Sequence, residues 1–206
     1  MEIQRIWKWG LVLPIIGLLL VGAIWLAQKV DVFYSLREAL SGDLYHRYDQ
    51  LIAKTAGRHG LDPNLVKAVI WRESRFQTNK LGTSGERGLM QVTNAAGLDW
   101  SRAMKYSDFQ PEELWKPESN LEVGCWYLAR ALMHWQNRDQ PLAFALAEYN
   151  AGRSRVKRWV TSSGQGEGAT ANHLSSSMDF PSTKAYVQNI ISRYKFYKAR
   201  KEFPTL

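Results

Sequence analysis

Apolar residues follow two different rhythms along this chain. From Gly10 to Ala27 there is no charged residue, and this apolar run of about 18 just meets the length needed to cross a bilayer. Beyond it, apolar positions return every three or four residues, the spacing of helices that bury one face. Leu44, Tyr48, Leu51, Ile52 and Ala56 predict one such helix, ended by Gly60. Asp62-Pro63 predicts a cap followed by proline at the first helical position, opening a second helix. Its Leu65, Val66, Val69 and Ile70 turn to a core and its end carries Glu73, with Phe76 folded back over that end. Small polar residues between Gly82 and Gly88 predict a loop, with a short helix starting near Gly88. Residues 98–119 read mostly as loop, anchored by Trp100, Tyr106, Phe109 and Trp115 and broken by Pro111 and Pro117. Leu121, Gly124, Leu128, Ala131, Leu132 and Trp135 then form the stripe of a long helix, with Gly124 marking close helix contact. Pro141 opens another helix that runs into Asn150-Ala151-Gly152. Ser162 to Ser177, rich in Gly and Ser, predicts a mobile loop overhanging a cleft. After Pro181 a last helix turns Tyr186, Ile190 and Tyr194 inward and ends in Lys198, Arg200 and Lys201.

The flanks of the apolar run give it a direction. Arg5 and Lys8 precede it, with Trp7, Trp9 and Trp25 at its edges, so the positive-inside rule leaves the amino terminus in the cytoplasm. The expected organisation is a cytoplasmic tail over 1–9, a transmembrane anchor over 10–27, a linker over 28–43 and an exported domain over 44–206. A cleaved signal peptide ending near Val21-Gly22-Ala23 is the alternative. The expected arrangement is a single membrane pass with the domain outside the cytoplasm.

Of the 206 residues, 27 are Lys or Arg and 19 Asp or Glu, a formal charge of +8. Part of that excess sits at the anchor and no recognition motif accompanies it, so a nucleic-acid partner is not expected. Arg153, Arg155, Lys157 and Arg158 read as a solvated helix face able to attract an acidic polymer. Nine Trp and nine Tyr exceed the needs of a small core, and some are expected to line a cleft or an interface, on whose faces sugars stack well. The single cysteine, Cys125, stands among apolar residues and reads as a buried thiol. Nothing in the sequence calls for a cofactor or a metal.

The stretch from Ile70 to Val92 holds the candidate chemistry. An acid ending an apolar helix, flanked by Ser74 and Phe76 and followed by a loop that can fold back, has the setting of a general acid. Partial burial raises a carboxyl pKa, so the proton is still there at neutral pH. The other reading is a solvated helix-end glutamate. Gln91 offers an amide that can donate to and accept from a sugar, or it is a surface side chain. Asn150 is either a helix cap or an amide at the mouth of a cleft.

Taken together, Glu73-Ser74-Arg75-Phe76, Ser84-Gly85-Glu86-Arg87-Gly88-Leu89-Met90-Gln91, Asn120-Leu121-Glu122-Val123-Gly124 with Tyr127-Leu128, Ala147-Glu148-Tyr149-Asn150-Ala151-Gly152 and Tyr186-Val187 resemble, in order and spacing, the soluble-lytic-transglycosylase (SLT) family of the lysozyme-like superfamily. The resemblance covers roughly residues 45–200. It implies a mostly α, lysozyme-like (goose-type) helical domain that cuts the β-1,4 bond between N-acetylmuramic acid and N-acetylglucosamine in peptidoglycan, leaving a 1,6-anhydro ring. Glu73 would be the single catalytic acid and Ser74 the residue that orients it. Met90, Gln91, Tyr149 and Asn150 would line sugar subsites, and Tyr186 would approach the carboxylate. The implied partners are peptidoglycan glycan strands, the membrane, and a secretion or conjugation machine.

Three departures stand against the family pattern. Ser182-Thr183 replaces a Glu-Thr pair, Glu86-Arg87 stands where small residues are usual, and Glu148 where a small uncharged one is common. Either extra acid could act as a second carboxylate and make a hydrolytic muramidase, although both read more simply as surface charge or partners of nearby arginines. A non-catalytic murein-binding component of an envelope-spanning machine is the third reading.

Overall fold

The structure, a computed structural model, describes Glu38 and residues 40–203. The expected anchor at 10–27, the tail before it and most of the linker lie outside those residues. Among the described residues there is no extended strand, and no helix is long and apolar enough to cross a membrane. A 3-10 turn covers Gly42–Tyr45, and a compact unit begins at Arg47. That unit contains α1 (Asp49–Arg58), α2 (Pro63–Glu73), α3 (Asn94–Met104), a 3-10 turn (Pro111–Trp115), α4 (Pro117–His134), α5 (Pro141–Ala151), α6 (Arg153–Ser162), a 3-10 turn (Gly166–Gly168), α7 (Ala171–Ser177) and α8 (Pro181–Ala199).

The two innermost helices explain how the rest is arranged. In α5 every residue from Ala143 to Ala147 is buried, and in α2 every residue from Pro63 to Trp71; a helix apolar all round must be enclosed by others. α8 packs against both, while α4 covers α5 and touches α1. The start of α2 is set as the sequence suggests: Asp62 accepts from the Asn64 amide at 2.9 Å and Pro63 occupies the first turn. One buried position defies the apolar pattern. Lys67 is fully enclosed, with its ammonium 2.9 Å from Asp49 and 3.0 Å from Glu202, which joins α1, α2 and the end of the chain through paired charge.

At Gly124 the backbone of α4 meets Met90. A Cβ placed there would lie 2.5 Å from the Met90 sulfur and 2.8 Å from its Cβ. The second of these atoms cannot swing aside, so Gly124→Ala is expected to cost about 1–3 kcal/mol, read as a lower midpoint in urea with an unchanged slope.

Several elements differ from the sequence expectation. The first predicted helix splits into the Gly42–Tyr45 turn and α1, which starts only at Asp49. No helix begins at Gly88; instead Arg87 and Val92 pair as an antiparallel bridge, N–H to carbonyl in both directions at 2.9 and 3.0 Å. The 98–119 region begins inside α3, which buries only Gly97 and Ser101 and therefore shows no apolar stripe. The span 162–177 contains a 3-10 turn and α7, whose start is fixed by reciprocal bonds between Thr170 and His173. On α8, Arg193 and Tyr197 are buried with Tyr186 and Ile190, whereas Tyr194 is half-exposed and donates its hydroxyl to Asp62 at 2.8 Å.

Candidate active site

Glu73 is the last residue of α2. The chain leaves the helix through Arg75 at φ 53° and Phe76 at φ 63°, both in the left-handed region. A non-glycine residue there costs on the order of 1 kcal/mol or more, and such strain persists only where surrounding structure enforces it. Here the enforcing contacts are plain: Phe76 is buried, as expected of a lid over the helix end, and Ser74 is fully buried with its hydroxyl donating to the Ile70 carbonyl at 3.3 Å. Ser74 thus closes the last turn of α2 and no bond from it to the Glu73 carboxylate occurs. The Lys80 ammonium donates to the Glu73 carbonyl, capping the negative end of the helix.

Tyr186, buried on α8, donates its hydroxyl to Glu73 Oε1 at 2.6 Å. Burial pushes the Glu73 carboxyl up to about 7; the Tyr186 bond and the charges of Arg72 and Lys80 oppose that rise, and the charge of Glu86 adds to it. Desolvation therefore wins. The Tyr149 and Tyr186 phenols stay protonated, held well above their ordinary range by burial and then by the Glu73 charge. Arg72, just before the acid on α2, lies with its guanidinium 5.4 Å from the centre of the Tyr186 ring.

Glu73 opens into a cleft of about 430 Å³ lined by Lys80, Glu86, Gln91, Tyr149 and Asn150 among others, within the range of small-ligand sites. One wall is the loop from Lys80 to Val92. The Gln91 amide nitrogen donates to the carbonyls of Lys80 and Gly88, each at 3.0 Å. Both its donors are therefore engaged within the loop, and Oε1 is the part left to meet a ligand. Gln91 itself sits at φ 49°. Met90 is fully buried against Gly124 and holds the wall through its backbone, accepting from the Tyr149 hydroxyl at 3.0 Å. Asn150 is exposed at the other wall and accepts from the Thr183 hydroxyl at 2.7 Å. The Ser182-Thr183 departure thus still contributes a bond that orients the cleft amide.

Asn120, quoted in the sequence only as part of a motif, ties this wall to α4. It is fully buried; its Oδ1 accepts from the Met90 amide at 2.7 Å, and its Nδ2 donates to the carbonyls of Arg87 at 2.7 Å and Leu114 at 2.8 Å. Gly88, at φ 74°, lies so close that a Cβ would sit 2.5 Å from that Nδ2. The available signal was a polar residue four before Gly124, inside an otherwise apolar stripe. Lys80 and Arg72 gave no comparable sign.

The two extra acids separate. Glu148 is bonded to His134 and to the Trp135 indole, each at 2.7 Å, rather than to an arginine. Glu86 borders the same cleft as Glu73, its Oε2 accepting from the Ser84 amide at 2.9 Å. Of the aromatic residues expected at a cleft, Tyr149 lines it, while Trp71, Trp135 and Trp159 are in the core. Cys125 is buried and unreactive, its thiol pushed far up by burial.

The described residues thus form a helical domain with a buried acid at a helix end, facing a polar cleft. The Transglycosylase SLT domain model matches residues 50–172, and the chain belongs to that family. It is 34% identical over 114 residues to the membrane-bound lytic murein transglycosylase F of Desulfosudis oleivorans, covering 54% of this chain and 23% of that one. It is 26% identical over 182 residues to the soluble lytic murein transglycosylase of Salmonella typhimurium, covering 87% and 25%. The fold is that of the 70 kDa soluble lytic transglycosylase from Escherichia coli, with a TM-score of 0.67 at 24% identity over 84% of this chain and 28% of that one. The chain thus spans about a quarter of the length of these relatives.

Proposed function

We propose that the chain is a membrane-anchored peptidoglycan lytic transglycosylase acting on the β-1,4 bond between N-acetylmuramic acid and N-acetylglucosamine. The observation that carries this reading is the Glu73 carboxyl, raised to about 7 by burial and bonded to Tyr186 at 2.6 Å at the floor of a cleft. In the first step C1–O4 breaks and O4 takes the Glu73 proton. The muramyl 6-hydroxyl then gives its proton back to the Glu73 carboxylate as O6 bonds to C1, closing the anhydro ring with no water consumed. The nucleophile is tethered to the sugar, so no second carboxylate has to activate water. Tyr186, Arg72 and Lys80 favour the charged carboxylate that exists between the two transfers. Gln91 Oε1 and Asn150 face the sugars from opposite walls. The description of some relatives as membrane-bound and the apolar run at 10–27 support an inner-membrane anchor with the domain in the periplasm.

Glu86 in the same cleft is what favours a second, hydrolytic reading. The two are separated by digesting purified murein sacculi and weighing the new glycan ends. Anhydro ends, one water lighter than reducing ends, are expected; reducing ends alone would establish hydrolysis, and sacculi that bind protein but stay intact would establish a scaffold.

The proton inventory also gives a pH profile. The acid must be protonated to start, so kcat/KM is expected to fall about tenfold per pH unit above about 7. Tyr186→Phe removes a bond that favours the charged carboxylate, so that limb should move to higher pH while kcat drops about a hundredfold. A limb that moves to lower pH would contradict the role given to the phenol.

A further inference from the structure

The catalytic cleft lies at one end of an antiparallel helix pair. Near the start of α8, Tyr186 meets Glu73, the last residue of α2; further along, Tyr194 donates to Asp62, the cap that opens α2. The far end of α8 is fastened beside the start of α1. Lys67 binds both Asp49, the first residue of α1, and Glu202, just beyond α8, and the rings of Tyr197 and Phe203 lie 5.3 and 5.4 Å from its ammonium. Measured along α8, this end stands roughly 18 Å from Tyr186 at 1.5 Å per helical residue.

The end so assembled is basic. Arg47 just before α1, Lys54 on it, Lys195 on α8 and Lys201 beyond it are all exposed, and none has a carboxylate within ion-pair distance. The acids nearby are already engaged: Asp49 and Glu202 by buried Lys67, and Asp62 by the Tyr194 hydroxyl and by Lys198 at 3.5 Å. Phe196, half-exposed on the same end of α8, lies under the Arg200 guanidinium at 5.3 Å. The positive field of this surface is therefore not neutralised within the domain and is available to an anionic partner.

We infer that the Arg47, Lys54, Lys195 and Lys201 end of the domain is a docking surface for anionic phospholipid headgroups, which stands the cleft away from the bilayer. The inference rests on the proposed anchor. The apolar run at 10–27 precedes Arg47 in the chain, so a domain tethered by that run is joined to its tether at its basic end. An anionic leaflet favours each nearby Lys or Arg by about fivefold in occupancy, and only within a Debye length. Docking by this end directs α8 outward and presents Glu73, at the opposite end of the helix pair, to the wall rather than to the lipid.

The test uses the full chain reconstituted in vesicles of phosphatidylcholine, and in vesicles of equal parts phosphatidylcholine and phosphatidylglycerol. An uncharged acetylating ester labels the lysines, and mass spectrometry follows each one, with exposed Lys157 on α6 as the internal reference. Lys195 and Lys201 are expected to react about fivefold more slowly in the anionic vesicles, with Lys157 unchanged, and salt raised to about 0.5 M should abolish the difference. In Arg47→Gln/Lys201→Gln the protection of Lys195 should fall below about twofold. Equal rates in the two vesicles, equal protection of Lys157, or protection of Lys195 that survives in the variant would overturn the inference. Flotation judges the anchor separately. A chain that leaves the neutral vesicles has no anchor, whereas one that stays with them and shows equal rates keeps the anchor and loses the docking surface.

Discussion

Glu73→Gln is expected to fold as the wild type does and to release anhydro fragments from murein at least about a thousandfold more slowly. Proton transfer by a positioned side chain is worth roughly a hundred- to ten-thousandfold, and in this cleft one carboxyl makes both transfers. An amide fills the same volume but has no proton to lose. A structural effect is predicted alongside the kinetic one. The carboxyl is raised from 4.5 to about 7 in the folded state, so the fold favours its neutral form. The stability present below about pH 4.5 is lost as pH rises through about 7. Glu73→Gln carries no such loss, so at pH 8 it should be more stable than the wild type by up to about 3 kcal/mol, with the two converging near pH 4. Urea melts at both pH values measure this. Parallel behaviour of the two proteins would mean that the acid is not desolvated.

Asn120→Leu should be the most damaging change away from the acid. The substitution strands the Met90 amide and the Leu114 carbonyl and leaves the Arg87 carbonyl with only the Val92 amide of its two donors. Each buried group left unpaired costs about 1–3 kcal/mol, so a loss of roughly 3–5 kcal/mol is expected. The effect should also reach the chemistry. Asn120 fastens the loop that carries Gln91 and accepts the Tyr149 bond, so even the folded fraction should turn over more slowly. Denaturation midpoints together with activity well below the midpoint test both parts; a shift under about 1 kcal/mol would show that water or a neighbour replaces the amide.

How much of this was legible depended on whether the cause was local. The start of α2 could be read because Asp62, Pro63 and the apolar Leu65, Val66, Val69 and Ile70 act within one helix. Lys67 on that same helix could not, since its partners Asp49 and Glu202 are 18 and 135 residues away. The α3 helix escaped notice because it packs through Gly97 against Phe109 rather than through an apolar stripe. The α7 helix was hidden by polar composition; a cap at Thr170 and one buried anchor, Leu174, suffice for it. At the site, the motif order pointed to Glu73 and Tyr186, which are 113 residues apart and meet at 2.6 Å. The same motifs did not reveal how the others are held: Ser74 closes a turn, Met90 bonds through its backbone, and Gln91 uses its amide nitrogen to hold its own loop. Those functions depend on backbone carbonyls, which leave no mark in a sequence.

The Glu73 carboxyl is still about half protonated at neutral pH because protein has replaced water around it. Carbon-13 NMR of the chain labelled at glutamate side chains, with Glu73→Gln used to assign the signal, follows that proton directly. The carboxyl is predicted to titrate near pH 7. Titration near 4.5, the value of an ordinary solvated glutamate, would contradict the account at its base.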